Sequence, residues 1–136
     1  MPSRARLACV APSMVSDVWP LARALIKSAS EKTGLGDFER TEREVLAGLQ
    51  LLWLAHDGSK IEAAAVTQLV VEAGRKLCVL VACGGDGRDR WLPLIEGIES
   101  YARDEGCAAM LIGGRPGWQR VLSGYAVKSV VLEKGL

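Results

Sequence analysis

Apolar positions along the chain fall into short unbroken runs and into stripes at helical spacing. Residues 7–10 form a brief apolar run closed by Pro12 and read as a first strand. Val18, Leu21, Ala22, Leu25 and Ala29 then recur at helical spacing. Ser16 suits the N-cap, and Asp17 falls in the first turn, where the positive helix end favours a carboxylate. Pro20 falls near the fourth helical position, where a missing N–H is tolerated. The helix is expected to end near Ser30, ahead of Gly34 and Gly36. A second, short helix is expected to begin at Thr41. There Thr41 and Glu44 have the spacing of a capping box, and Val45, Leu46 and Leu49 give an apolar face.

Three strands should follow, over residues 51–55, 61–71 and 77–83. The first two are separated by the turn residues His56, Asp57, Gly58 and Ser59, the last two by a turn at 73–76. Apolar residues on both parities imply strands covered on both faces. Residues 84–90, rich in glycine and charge, open a helix with a buried stripe of Trp91, Leu94, Ile95, Ile98 and Ala102, and Gly106 stops it. Residues 107–112 read as another strand, 118–123 as a short helix and 125–133 as a last strand.

Composition adds mainly exclusions. The 136 residues fit one domain, with 49% apolar and 24% charged side chains, a globular rather than disordered balance. Seventeen basic residues against sixteen acidic leave a net charge of +1, which argues against nucleic acid as a partner. The longest apolar run, 77–83, is too short to span a bilayer, and the N-terminus lacks a secretory apolar stretch. Cys9, Cys78, Cys83 and Cys107 contain no CxxC pair, and one histidine makes a zinc site improbable. The expectation is no metal, reduced core thiols and a cytoplasmic location.

Both strand-to-helix junctions carry a glycine pair, an arginine and a tryptophan: Gly84, Gly85, Arg90 and Trp91, then Gly113, Gly114, Arg115 and Trp118. A strand, helix and strand in that order place both junctions at one sheet edge, where α/β folds bind ligands. Trp19, Trp91 and Trp118 each start a helix and read as core anchors whose N–H reaches a nearby carbonyl. His56 has a pKa suited to a base, and Cys83 adjoins the glycine-rich turn. For these two residues, an exposed turn imidazole and a packed thiol are the plainer alternatives. Arg88, Arg90, Arg115 and Arg120 cluster at the two junctions, either as a solvated rim or as an anion clamp. Glu62, near a strand start, and Glu72, at a turn, are the nearby carboxylates.

The order β-α-α-β-β-β-α-β-α-β, over nearly the whole chain, resembles the GNAT (N-acetyltransferase) superfamily. The resemblance implies an α/β (α+β) fold with a mixed central sheet and helices on both faces, in one domain over 1–136. It also implies that strands 77–83 and 107–112 are parallel and splay apart to admit acyl-CoA. The family's pyrophosphate loop, Gln/Arg-x-x-Gly-x-Gly/Ala, is matched by Gly85 and Gly87 but departs at Ala82. Its Tyr-x-x-x-Gly-Phe signature is matched at Gly124 and Tyr125 but has Arg120 at the tyrosine position. The resemblance thus implies acetyl-CoA bound by Gly84, Gly85, Gly87, Arg88 and Arg90. Arg120, His56 and Cys83 remain the candidates for chemistry.

Two functions follow. One is transfer of an acetyl group from acetyl-CoA to an amine acceptor. The other is a catalytically degenerate GNAT-fold protein, resembling compact phage and prophage chains, with a structural or assembly role through a protein partner or self-association, and virion-associated if phage-encoded. The departures at Ala82 and Arg120 favour the second.

Overall fold

A computed structural model describes residues 6–33, 37–58, 60–85, 88–113, 122, 124–128 and 132–136. Five strands form one sheet in the order β1 (Arg6–Cys9), β2 (Leu51–His56), β3 (Ile61–Glu72), β4 (Arg75–Gly85) and β5 (Ala109–Ile112). The first four are antiparallel, and β5 joins β4 in parallel. Helices α1 (Val15–Thr33) and α2 (Phe38–Leu46) cover one face, and α3 (Arg88–Asp104) covers the other.

Alternation along the strands feeds two cores. Leu52, Leu54, Ala64 and Val66 meet Trp19, Ala22, Ile26 and Val45 on the α1–α2 side. Trp53, Ala55, Ala63 and Ala65 meet Leu94, Ile95, Ile98 and Ala102 of α3. The alanines of β3 are fully buried on both faces. Their small side chains let the helices lie close, which is why an apolar run with no polar face is a central strand here. Trp53 reaches its polar partner inside the core, donating from Nε1 to Thr67 Oγ1 at 2.9 Å.

Several boundaries differ from the sequence pattern. Helix α2 begins three residues earlier than Thr41, capped by Asp37, whose carboxylate accepts from the Arg40 N–H at 3.3 Å. Phe38 gives the extra turn a reason to form, because its ring lies 6.3 Å from that of Trp19. Thr41 is buried in the helix and does not cap it. Pro20 is the sixth residue of α1, beyond the turn where a missing N–H costs nothing. The β3–β4 turn is only Ala73 and Gly74, both at positive φ, so Arg75 and Lys76 belong to the strand. Gly84 and Gly85 end β4 instead of opening a helix. Strand β5 starts at Ala109, not at residue 107. Residues 125–128 form no strand, while residues 129–131, most of the expected helix at 118–123, and Arg115 lie outside the described residues.

The thiols divide. Cys78 and Cys83 are buried, Cys107 is half-buried, and Cys9 is exposed at the sheet edge, so it is not a core thiol. Trp19 is a core anchor, but its Nε1 donates to the Glu42 carboxylate at 2.7 Å, not to a carbonyl. Arg23 joins the same carboxylate oxygen at 2.6 Å and stacks 4.8 Å above the Phe38 ring. These hydrogen bonds hold the Glu42 carboxyl below its ordinary range. A carboxylate with a lowered folded pKa stabilises above its unfolded value and loses that contribution as pH falls. Glu42→Gln is therefore expected to lower the melting temperature by about 2–5 °C at pH 7. The two curves should converge below pH 4, and an equal deficit at both pH values would disprove the clip.

Candidate functional site

The geometry at the end of the sheet comes from register. Strand β5 stops with Ile112 opposite Leu80, but β4 continues to Gly85. Residues 82–85 remain paired to β3, and among the described residues 81–85 have no partner on the β5 side. That leaves about 13 Å of strand edge at the usual rise per residue.

A β-bulge marks where the strands part. Val66 pairs with Ala82 and Thr67 with Leu80, so Val81 is the additional residue. Cys78 and Leu80 face α3 before the bulge, and Cys83 faces α3 after it, while Ala82 turns to α1. A bulge bends its strand and raises local twist. A second bulge, between Ala55 and His56, makes Glu62 the additional residue at the start of β3.

The glycine pair has a packing origin. A Cβ on Gly84 would stand 2.5 Å from the Leu25 carbonyl oxygen of α1. On Gly85 it would stand 2.7 Å from Ala63 Cβ and 2.8 Å from Glu62 O. Both glycines thus let β4 close against α1 and β3. Beyond them, Gly87 lies outside the described residues, and α3 starts at Arg88. Arg88 and Arg90 occupy its first turn, with only their backbone described.

The other candidates are scattered. His56 ends β2, two strands and roughly 10 Å from β4. Its Nδ1 accepts from the Gly58 N–H at 3.2 Å, a local turn contact. Cys83 is beside the open edge, but its thiol is buried toward α3 and desolvation pushes its pKa up to about 12. That matches the packed thiol and leaves little thiolate at neutral pH. Glu72 pairs with Arg75 at the far end of the sheet. Arg120 lies outside the described residues. Among the described residues, no group of three His, Cys, Asp or Glu side chains can hold a metal. No described helix is long and apolar enough to cross a membrane.

Two features escaped the sequence reading. One is the bulge at Val81, which an apolar run buried on both faces cannot signal by a break in alternation. The other is the anchoring of the C-terminal segment: Leu122 is buried in the α3-side core, and Tyr125 OH donates to Glu99 Oε2 at 2.6 Å. That bond and burial raise the tyrosine pKa. A cavity of about 550 Å³ also opens between α1 and α2, lined by exposed charges of both signs that include Arg23, Lys27, Glu31 and Glu39.

No protein-family model matches the chain, and no curated protein matches its sequence. Solved structures do match its shape. An aminoglycoside acetyltransferase from an uncultured soil metagenomic sample, in complex with trehalose, superposes with a TM-score of 0.75 at 11% identity over 99% of this chain and 97% of that one. A GNAT family acetyltransferase of Staphylococcus aureus gives 0.67 at 13% identity, over 98% and 99%. A predicted acetyltransferase of Clostridium acetobutylicum, solved with acetyl-CoA, gives 0.66 at 12%, over 96% of each chain. The fold is that of the GNAT acetyltransferases. The parallel pairing of β4 with β5 agrees with the mixed sheet expected of that fold. These likenesses give no support to a phage-type or degenerate assembly role.

Proposed function

We propose that the chain is an acetyl-CoA-dependent N-acetyltransferase acting on an amine. The observation that carries this reading is the β5-side edge of residues 81–85, which has no strand partner among the described residues, begins at the Val81 bulge and ends at Gly85, three residues before Arg88. Backbone N–H and C=O groups on such an edge are free to pair with the amides of a pantetheine arm. The first turn of α3 has unsatisfied N–H groups and the positive end of the helix dipole, suited to a pyrophosphate. Arg88 and Arg90 add positive charge at that turn. The residues present therefore fit the group. Gly84 and Gly85 serve by packing, holding β4 against α1 and β3 so that its other edge stays available.

Acetyl-CoA supplies a thioester carbonyl open to attack. The amine nitrogen bonds to that carbon, the C–S bond breaks, and the sulfur leaves with the amine's proton as CoA thiol. The chain's part is to orient the two reactants and exclude water. The apolar side chains of Leu80 and Ala82 suit that exclusion.

Acetyl-CoA at about 100 times its dissociation constant should add roughly 2.7 kcal/mol of stability. At this chain length that raises the melting temperature by about 5–15 °C. Release of free CoA thiol in the presence of an amine then demonstrates transfer. No melting shift with millimolar acetyl-CoA would overturn the reading.

A further inference from the structure

Thr67 stands out in β3. It follows Ala63, Ala64, Ala65 and Val66, all buried and apolar, and is itself 1% exposed. Valine would fill the same volume with no hydroxyl to satisfy, so packing alone gives no reason for threonine. The reason is Trp53, 7% exposed, whose Nε1 donates to Thr67 Oγ1 at 2.9 Å. The bond runs diagonally across the β2–β3 ladder, because Trp53 pairs with Ala65 and Thr67 pairs with Leu51. Tyr101 of α3 meets the indole edge-on, with ring centroids 5.1 Å apart. The indole is thus gripped between a hydrogen bond and an aromatic contact.

The same threonine marks a change of register. Residues 63–66 pair in order with 85–82, Thr67 pairs with Leu80, and one-for-one pairing then continues to Glu72 and Arg75. Thr67 is therefore the first β3 residue past the bulge. On β4, Val81 and Ala82 both pack with the α1-side core, and the α3 face passes from Leu80 to Cys83. The apolar pattern does not fix that location. Residues 79–83 are Val, Leu, Val, Ala and Cys in a strand covered on both faces. Moving the extra residue along the strand would exchange one apolar side chain for another. Apolar burial is non-directional, whereas a hydrogen bond demands one geometry. The directional contact nearest the bulge is the bond at Thr67.

The bulge position decides which backbone groups the β4 edge presents. Among the described residues that edge has no strand partner from Val81 onward, and a bulge moved along β4 would re-aim its N–H and C=O groups. We propose that Thr67 is a positioning residue: held by Trp53, it fixes the bulge at Val81 and with it the backbone groups offered to the amides of the acyl donor. This rests on the acyltransfer reading above. The Thr67 hydroxyl lies in the α3-side core with Trp53, so its effect on the donor passes through the backbone of β4.

The test compares Thr67→Val, Thr67→Ser and Val45→Ala in the full chain. Thr67→Val keeps the shape but leaves Trp53 Nε1 without an acceptor, and should lower the melting temperature by about 5–10 °C. Thr67→Ser keeps the hydroxyl. Val45→Ala empties part of the α1–α2 core at a similar cost in melting temperature and leaves the bond intact. Calorimetry with acetyl-CoA, well below every melt, should show a dissociation constant raised on the order of tenfold in Thr67→Val, as when about one molecule in ten keeps the competent register. Thr67→Ser and Val45→Ala should bind as the parent does. Amide hydrogen exchange without ligand gives a second reading. Residues 80–83 should lose more protection than residues 75–79 in Thr67→Val, and not in Val45→Ala. Trp53→Phe removes the same bond from its donor side and should reproduce both changes, which serves if Thr67→Val does not fold. Parent-like affinity in Thr67→Val or Trp53→Phe, equal loss in Val45→Ala, or protection lost evenly along β4 would each overturn the inference. No binding heat from the parent would instead remove the acyltransfer reading, and the positioning role with it.

Discussion

Gly84→Val is expected to lower the melting temperature of the ligand-free chain by about 10 °C, a loss of roughly 3 kcal/mol. The position looks permissive in sequence, within a glycine pair at the end of a strand. In the structure, an added Cβ stands 2.5 Å from the Leu25 carbonyl oxygen and 3.3 Å from Ala29 Cβ. The nearer contact is with backbone, so no side-chain rotation relieves it. Helix α1 would have to lift, and it carries Trp19, Ala22 and Ile26 in the core. Ala29→Gly should therefore fail to rescue the variant. Gly113→Ala is the matched control, because nothing among the described residues lies within 4 Å of its added Cβ. It should change stability by no more than about 0.5 kcal/mol. The two glycine junctions, alike in sequence, thus separate in one melting experiment. A Gly84→Val protein melting within 2 °C of the parent would show that α1 does not press on β4 as described.

That contrast also shows how far sequence could reach. Strand runs and helical stripes located the described elements, because burial on both faces of β2, β3 and β4 leaves a record in apolar composition. Parallel pairing of β4 with β5 followed from the helix between them. The position of the opening did not follow. It depends on one additional residue, Val81, in a run where both neighbours are buried whichever way they face. Sequence alone cannot distinguish glycines that make room for a ligand from glycines that make room for Leu25 O or Ala63 Cβ. The α2 boundary was missed because Asp37 and Thr41 are both competent caps, and only the packing of Phe38 on Trp19 decides between them. His56 has the chemistry of a base, but its distance from β4 is a property of strand order alone.

Charge reversal at the start of α3 is expected to move two quantities in opposite directions. The first turn holds Arg88 and Arg90, with Asp89 between them. Cations at a helix N-terminus oppose the dipole, at about 0.3–1 kcal/mol each. For the fold alone these two arginines are a cost. A bound pyrophosphate would convert that cost into attraction, through charge-assisted hydrogen bonds of roughly 1.5–3 kcal/mol each. The double variant Arg88→Glu, Arg90→Glu should therefore melt a few degrees higher than the parent without ligand, by about 1 kcal/mol of relieved dipole strain. Its affinity for acetyl-CoA should fall on the order of 10²-fold or more, and the difference should narrow as added salt screens the charges. Calorimetry against acetyl-CoA at low and high ionic strength measures the second effect, and a thermal melt of the apo protein measures the first. Loss of stability together with loss of binding would mean that the arginines support the helix in some other way. Unchanged affinity would mean that the pyrophosphate, and with it the acyl donor, does not sit at the head of α3.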